Sequence, residues 1–246
     1  MTWSAPTDGV TRIQCWSGPR NVSTALMYSW RQRWDTTVVD EPLYAHYLTR
    51  DDRGHPGVQE ILASQQHDPD LVIRDVILGP CPTPVLYVKQ MAHHLNGVSR
   101  SHLAHTENII LVRHPRNMLA SLSVQLPHCD LSDTGLVESV ELLDAIVAEG
   151  GNPVVIETQS LLTDPAGVLG SVCERVGLGF DPAVLAWPAG PKPEDGVWAK
   201  HWYDNVHAST GFGPPAIREP ALSQPTRAVL EQALPLYERL AVYAIT

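Results

Sequence analysis

Short apolar runs separated by turn residues recur along the chain, and most are followed by a segment with helical spacing. Thr11 to Trp16 predicts a short strand that runs into a Gly-Pro turn. Ser23 to Trp34 carries Leu26, Trp30 and Trp34 at four-residue spacing, which predicts a helix with one apolar face. The β-branched run Thr36 to Asp40 predicts a second strand and Val85 to Lys89 a third. Asn108 to Val112 is apolar throughout and fits a buried central strand, and Val154 to Glu157 predicts one more. Tyr44 to Leu48 opens a helix. Further helices are predicted over Gly57 to Gln66, Asp70 to Leu78, Arg116 to Leu126, Leu136 to Glu149 and Arg227 to Tyr243. Pro69 sits just inside the start of one, and Gly177 closes another over Ala166 to Val176. His93 to His105 is mostly polar and predicts a loop or short helix.

Strands alternating with helices predict an α/β fold with a parallel sheet flanked by helices on both faces. From Trp187 to Pro220, Pro, Gly, Trp and polar residues dominate. Long segments without regular structure are usually functional, so a lid is expected over about residues 187–220. The 246 residues suit one domain spanning residues 1–246, and no internal repeat is present.

Composition narrows the function classes. The formal net charge of -10 disfavours non-specific nucleic-acid binding, although a few arginines can still make a local positive pocket. Cys15, Cys81, Cys129 and Cys173 are scattered with no C-x-x-C pair, which predicts buried thiols in a reducing compartment. Met1 to Gly9 lacks an apolar signal core, and no apolar run approaches the about 20 residues of a membrane span. A cytoplasmic protein with no membrane or nucleic-acid partner is expected; a homodimer is compatible with the sequence. Eleven histidines raise the question of a metal, but no H-E-x-x-H spacing occurs. The adjacent His93 and His94 are expected to point to different sides of their element, so no metal is predicted.

Two segments carry candidate anion chemistry. In the first, a strand, a Gly-containing turn and a helix follow one another, with Gly18, Pro19, Arg20, Asn21, Val22, Ser23 and Thr24 in the turn. Unpartnered N–H groups at a helix N-terminus and the helix dipole attract anions there. The Ser23 and Thr24 hydroxyls can donate to phosphate oxygens, and Arg20 offers a forked donor set. The plainer alternative is a tight β–α turn with a capping hydroxyl. The nucleotide triphosphatase pattern G-x-x-x-x-G-K-[ST] is absent. In the second segment, IILVRHPRNMLASLS, an apolar strand ends at Arg113 and Ser121 lies eight residues on, inside a helix. Strand C-termini are where open α/β sheets place ligands.

These segments together resemble the sulfotransferase family. WSGPRNVSTALM is similar to its 5′-phosphosulfate loop, G-P-R-S-G-S-T, through Gly18, Pro19, Arg20, Ser23 and Thr24, with Asn21 and Val22 departing. Arg113, Pro115, Arg116, Asn117 and Ser121 resemble R-x-P-[KR]-[DN]-x-x-x-S, which in that family binds the donor's 3′-phosphate. Val154 to Leu178 resembles a later strand-loop-helix segment, with Thr158 where that family has Tyr, and Gly196 to Trp202 resembles the segment that closes over the nucleotide. The basic R-K-G before that loop is missing, with Lys192, Lys200 or Arg218 as candidate substitutes. The resemblance implies a P-loop-type fold. It also implies 3′-phosphoadenosine 5′-phosphosulfate (PAPS) as donor, adenosine 3′,5′-bisphosphate (PAP) as product, no metal, and a small hydroxyl or amine acceptor. Trp198 is then expected at the nucleotide.

The chemistry needs a base, cations for the sulfuryl oxygens and a neutralised leaving phosphate. Lys89 resembles the lysine of the family's K-T-H motif, but Met91 stands in place of its histidine. The base is therefore sought elsewhere. Glu41, at the carboxyl end of TTVVD, is the first choice, with His93 and His94 next and a helix-capping carboxylate as the plainer reading. Tyr44, His46 and Tyr47 are expected in the acceptor pocket, with Trp198, Trp202 and Tyr203 either packing on the adenine or covering the acceptor. The competing functions are a P-loop kinase or other phosphotransferase using ATP, a nucleotide-binding protein without catalysis, and a ligand-free structural domain.

Overall fold

The computed structural model describes residues 3–51, 54–124, 126–214 and 221–245. Five parallel strands form one sheet in the order β2-β3-β1-β4-β5. They are β1 (Thr11–Ser17), β2 (Thr36–Asp40), β3 (Val85–Met91), β4 (Glu107–Val112) and β5 (Val154–Glu157). All the predicted strands form. Along β4, Ile109 and Leu111 face one core layer while Ile110 and Val112 face the other, the two-residue alternation of a sheet covered on both sides. The chain leaves β1 towards β2 on one side, and β4 later joins β1 from the other. That reversal opens a crevice beyond the carboxyl ends of β1 and β4.

The helices are α1 (Ser23–Trp30), α2 (Tyr44–Leu48), α3 (Val58–Ser64), α4 (Pro69–Val72), α5 (Pro115–Leu122) and α6 (Leu136–Ala148). They continue with α7 (Thr158–Thr163), α8 (Pro165–Arg175), α9 (Ala199–Trp202), α10 (Asp204–His207) and α11 (Gln224–Ala241). Helices α1 and α8 cover one face of the sheet, and α5, α6 and α11 the other. Fully burying each aliphatic side chain in these layers contributes roughly 1.5–3 kcal/mol.

Several boundaries differ from the expected ones. Helix α1 stops at Trp30, and Trp34 is 85% exposed rather than part of the apolar face. Arg33 causes the break: its buried guanidinium donates to the Gly179 carbonyl and to Asp35, which turns the chain outward. The helix expected over Asp70 to Leu78 begins as α4 and widens into a π-helical turn at Ile73–Ile77, where Leu78 N–H donates to Ile73 O. The Arg12 guanidinium takes up the Ile77 and Gly79 carbonyls beyond it. Helix α7 was not expected; the Glu157 carboxylate caps it at Ser160 N–H. His93 to His105 resolves into two 3₁₀ turns, Ala92–Leu95 and Arg100–His105.

The expected structureless lid is instead a packed strap over its described part. It carries α9 and α10 and buries Trp187, Trp198 and Tyr203. Arg218 and the end of that segment lie outside the described residues. No helix among the described residues is long and apolar enough to cross a membrane. All four cysteines are free, and Cys81 is half-buried rather than buried.

Candidate active site

The turn after β1 is built from strained backbone. Arg20 and Val22 have φ of 61° and 60°, the left-handed region that side-chain-bearing residues rarely enter. Such backbone points successive N–H groups into a shared concavity, which suits an anion. Helix α1 follows with no side-chain cap, so its first N–H groups extend that concavity. Asn21 and Thr158 brace the turn. Asn21 Nδ2 donates to Leu111 O at 3.1 Å, and Thr158 Oγ1 donates to Val112 O at 2.8 Å and Asn21 O at 3.3 Å. Both residues depart from the family pattern, and both tie the turn to the end of β4.

Gly18 is required by closeness rather than by its dihedral angles. A Cβ there would stand 2.2 Å from Thr134 O. Gly18→Ala is expected to destabilise the chain by roughly 1–3 kcal/mol, because a backbone carbonyl cannot swing aside as a side chain can. A denaturant titration checks this; an unchanged midpoint would show that the turn does not rest on Thr134.

The two anion segments meet directly. Arg113 follows β4 and its Nη1 donates to Arg20 O at 2.7 Å; Arg20 Nε donates to Ser121 Oγ at 2.9 Å. Burial lowers the pKa of both guanidiniums, and Arg20 depresses Arg113 further. Neither makes an ion pair among the described residues. Two half-buried cations held side by side, with only the Glu157 carboxylate partly offsetting Arg113 and no ion pair among the described residues, form a site for a polyanion.

A second polar cluster lies at the ends of β2 and β3, where Asp40 and Lys89 are register partners. Lys89 Nζ is buried and donates to Asp40 Oδ1 at 2.9 Å, to Tyr203 Oη at 2.8 Å and to the Glu41 carboxylate. Tyr203 Oη donates to Asp40 Oδ2 at 2.8 Å and accepts from Trp198 Nε1 at 3.1 Å. Burial opposes the charge on Lys89, but Asp40 and Glu41 outweigh it and raise its pKa well above the ordinary value. Glu41, with φ of 42°, has its pKa raised by burial and then by Asp40, against the opposing pull of Lys89. When both acids are ionised, the trio of two carboxylates and one ammonium carries one excess negative charge. That excess, with burial, makes Glu41 hold a proton more strongly than an ordinary carboxyl does.

Three expectations change here. All three Nζ donors of Lys89 are engaged by the protein, so it neutralises the acids and has no donor left for a sulfuryl oxygen. Trp198 contacts Tyr203 and meets the Tyr44 ring edge-on at 5.2 Å, which places it in the acid cluster rather than at the arginines. His93 and His94 do not point apart: their rings touch at 4.8 Å. His94 is buried and stacks on Tyr44 and Tyr47. Burial, then neighbouring His93, holds its pKa well below the ordinary value, which makes it a weak base. Lys192 binds the Pro188 and Gly190 carbonyls and Lys200 pairs with Glu60, so neither replaces the missing basic motif at the cleft. Among the described residues, no group of three or more His, Cys, Asp or Glu is placed to hold a metal. Sequence reasoning missed Asp40 as a site residue. Its position at a strand end opposite Lys89 was the available signal.

One cleft of about 930 Å³ joins the two clusters, lined by Pro19 to Ala25, Arg113 and Ser121 at one end and by Glu41, Tyr44 and Tyr47 at the other. The family model for the sulfotransferase domain matches residues 11–244. The chain belongs to the sulfotransferase family. Solved sulfotransferases share the fold. The sulfotransferase domain of the olefin synthase from Synechococcus PCC 7002 is 18% identical with a TM-score of 0.55, covering 94% of this chain and 98% of that one. A sulfotransferase from Alicyclobacillus acidocaldarius is 13% identical with a TM-score of 0.55, covering 94% of each. Among curated proteins, branched-chain-amino-acid aminotransferase-like protein 1 of Arabidopsis thaliana is 38% identical over 229 residues, and branched-chain-amino-acid aminotransferase-like protein 2 of the same organism is 36% identical over 229 residues. The match takes in 93% of this sulfotransferase-family chain but 41% of each relative. The chain thus spans about two fifths of the length of these relatives, whose names describe the longer proteins.

Proposed function

We propose that this chain is a sulfotransferase that takes its sulfuryl group from PAPS and passes it to the hydroxyl or amine of a small acceptor. One observation carries the reading: Arg20 and Arg113, in no ion pair among the described residues, are joined to each other and to Ser121 beside the left-handed turn. That arrangement suits a ligand with two separated phosphate groups better than one with a single phosphate.

When bound, the donor supplies a sulfuryl group attached to a phosphate leaving group. The backbone N–H groups from Asn21 to Thr24 and the Ser23 and Thr24 hydroxyls hold the 5′ end, with Arg20 neutralising charge as it builds on the leaving phosphate. Arg113 and Ser121 hold the 3′-phosphate. The Glu41 carboxylate accepts the acceptor's proton, and its raised proton affinity matches that task. Asp40 and Tyr203 keep the Lys89 ammonium in place, so that Glu41 can change charge without leaving the lysine unpaired.

PAP at one hundred times its dissociation constant is expected to stabilise the chain by about 2.7 kcal/mol, which for a domain of this size raises the melting temperature by several degrees. AMP and ATP at the same concentration are expected to do much less. A differential scanning measurement decides the point. Equal shifts from the three nucleotides would remove the case for a 3′-phosphate site, and magnesium-dependent ATP turnover would favour a phosphotransferase.

A further inference from the structure

One stretch of the cleft lining takes no part in either polar cluster. Val22, Ala25, Leu162, Val206 and Phe212 belong to it, and each is half-buried, so each leaves apolar surface to the cleft. Val22 and Ala25 flank the Ser23–Thr24 pair of the anion turn. Leu162 lies one helical turn beyond Thr158, which braces that turn. The apolar surface therefore begins where the anion turn ends. Val206 and Phe212 come from the strap. An antiparallel bridge between Ala186 and Gly211, and a bond from Trp187 N–H to Thr210 O at 3.0 Å, fix this part of it. The Phe212 ring meets Trp187 edge-on at 5.0 Å. Ser209 also lines the cleft. Its Oγ donates to Val206 O at 2.7 Å and accepts from Trp187 Nε1 at 3.0 Å. A hydroxyl has one proton and two lone pairs, so Ser209 has only a lone pair left for a ligand.

We infer that this stretch seats the purine base of the donor, with Phe212 as its stacking surface and Ser209 Oγ as the atom that selects a 6-amino purine over a 6-oxo purine. The inference rests on the donor being a nucleotide, as proposed above, and names the residues that read its base. A purine is flat and apolar on its faces, and it gains from an aromatic ring and aliphatic walls within reach of the phosphate turn. The amino group of adenine donates to Ser209. A carbonyl oxygen in its place would set two acceptors against each other, and the Ser209 proton cannot turn to meet it without giving up Val206 O. Asn205 also lines the cleft, but its exposed amide both donates and accepts, so it suits either base. Phe212 thus takes the place at the nucleotide that the sequence suggested for Trp198.

Calorimetric titration with PAP and with inosine 3′,5′-bisphosphate, which carries a carbonyl oxygen where PAP carries the amino group, tests this. PAP is expected to bind about tenfold more tightly. Equal affinities, or tighter binding of the inosine compound, overturn the inference. Ser209→Ala is expected to weaken PAP by about three- to tenfold and to leave the inosine compound nearly unchanged; a gap of undiminished size overturns the role of Ser209. Phe212→Ala keeps Ser209 in place and is expected to weaken both nucleotides by about ten- to a hundredfold. Unchanged affinity for both would show that the base stacks elsewhere. AMP and IMP, titrated at millimolar concentration, put the same question without a 3′-phosphate. If PAP binds no better than AMP, the donor assignment fails, while the difference between AMP and IMP still decides the base site. No binding of any of these nucleotides overturns both.

Discussion

Arg113→Ala is expected to lower the affinity for PAP by roughly ten- to a hundredfold while leaving AMP nearly unaffected. The magnitude follows from losing hydrogen bonds to a charged phosphate, worth about 1.5–3 kcal/mol. Arg113 would contribute through two routes: its guanidinium would meet the 3′-phosphate, and its Nη1 holds the Arg20 carbonyl that shapes the turn. Ser121→Ala removes the hydroxyl that accepts from Arg20 Nε and is expected to cost less, because the cation remains. Titration calorimetry with PAP and AMP separates the two routes. A loss of equal size for both nucleotides would mean that Arg113 acts only on the turn, and the 3′-phosphate site would fall.

Glu41→Gln is expected to reduce turnover by about 10²–10⁴-fold and, at the same time, to stabilise the fold at pH values above the raised Glu41 pKa. The sign of the second effect follows from the raised proton affinity of Glu41. Between the ordinary carboxyl pKa and the raised one, the native state binds more protons than the unfolded chain. Stability that is fully present below the ordinary value is therefore lost as pH rises through the raised one. Glutamine stays neutral throughout, so its advantage should grow with pH and vanish in acid. Lys89 keeps Asp40 and Tyr203 as partners in the variant. Melting curves across pH, set beside turnover, make the check. A variant less stable than the parent at the alkaline end of the series would show that the Lys89 contact outweighs the cost of the buried charge.

Much of this architecture was legible in the sequence. The strands were readable because parallel strands covered on both faces are continuous apolar runs, and all five form. The spacing of Arg113 and Ser121 was readable because a strand end followed by a proline-started helix fixes where both residues stand. The backbone of the turn was not readable. Val22 and Glu41 belong to residue types that disfavour positive φ, and only the braces from Asn21 and Thr158 and the Lys89 contacts make clear what holds them there. The end of α1 escaped for a similar reason. Trp34 continued the apolar spacing, but the Arg33 bond to Gly179 comes from a distant part of the chain and overrides it. The strap looked irregular because its order comes from contacts with β2 and β3 rather than from its own periodicity.

Those contacts make the strap part of the acid–base apparatus. Tyr203 reaches Asp40 across a sequence separation of 163 residues and Lys89 across 114, and Gly196 N–H donates to the same Asp40 carboxylate at 3.3 Å. A strap that opens locally would admit water to the cluster and return Glu41 towards the titration of an ordinary surface acid. Hydrogen exchange at the amides of residues 196–203 should therefore quicken in the same pH range over which Glu41 ionises. In this molecule the proton inventory of one carboxylate and the opening rate of a distant segment would be two readings of a single equilibrium.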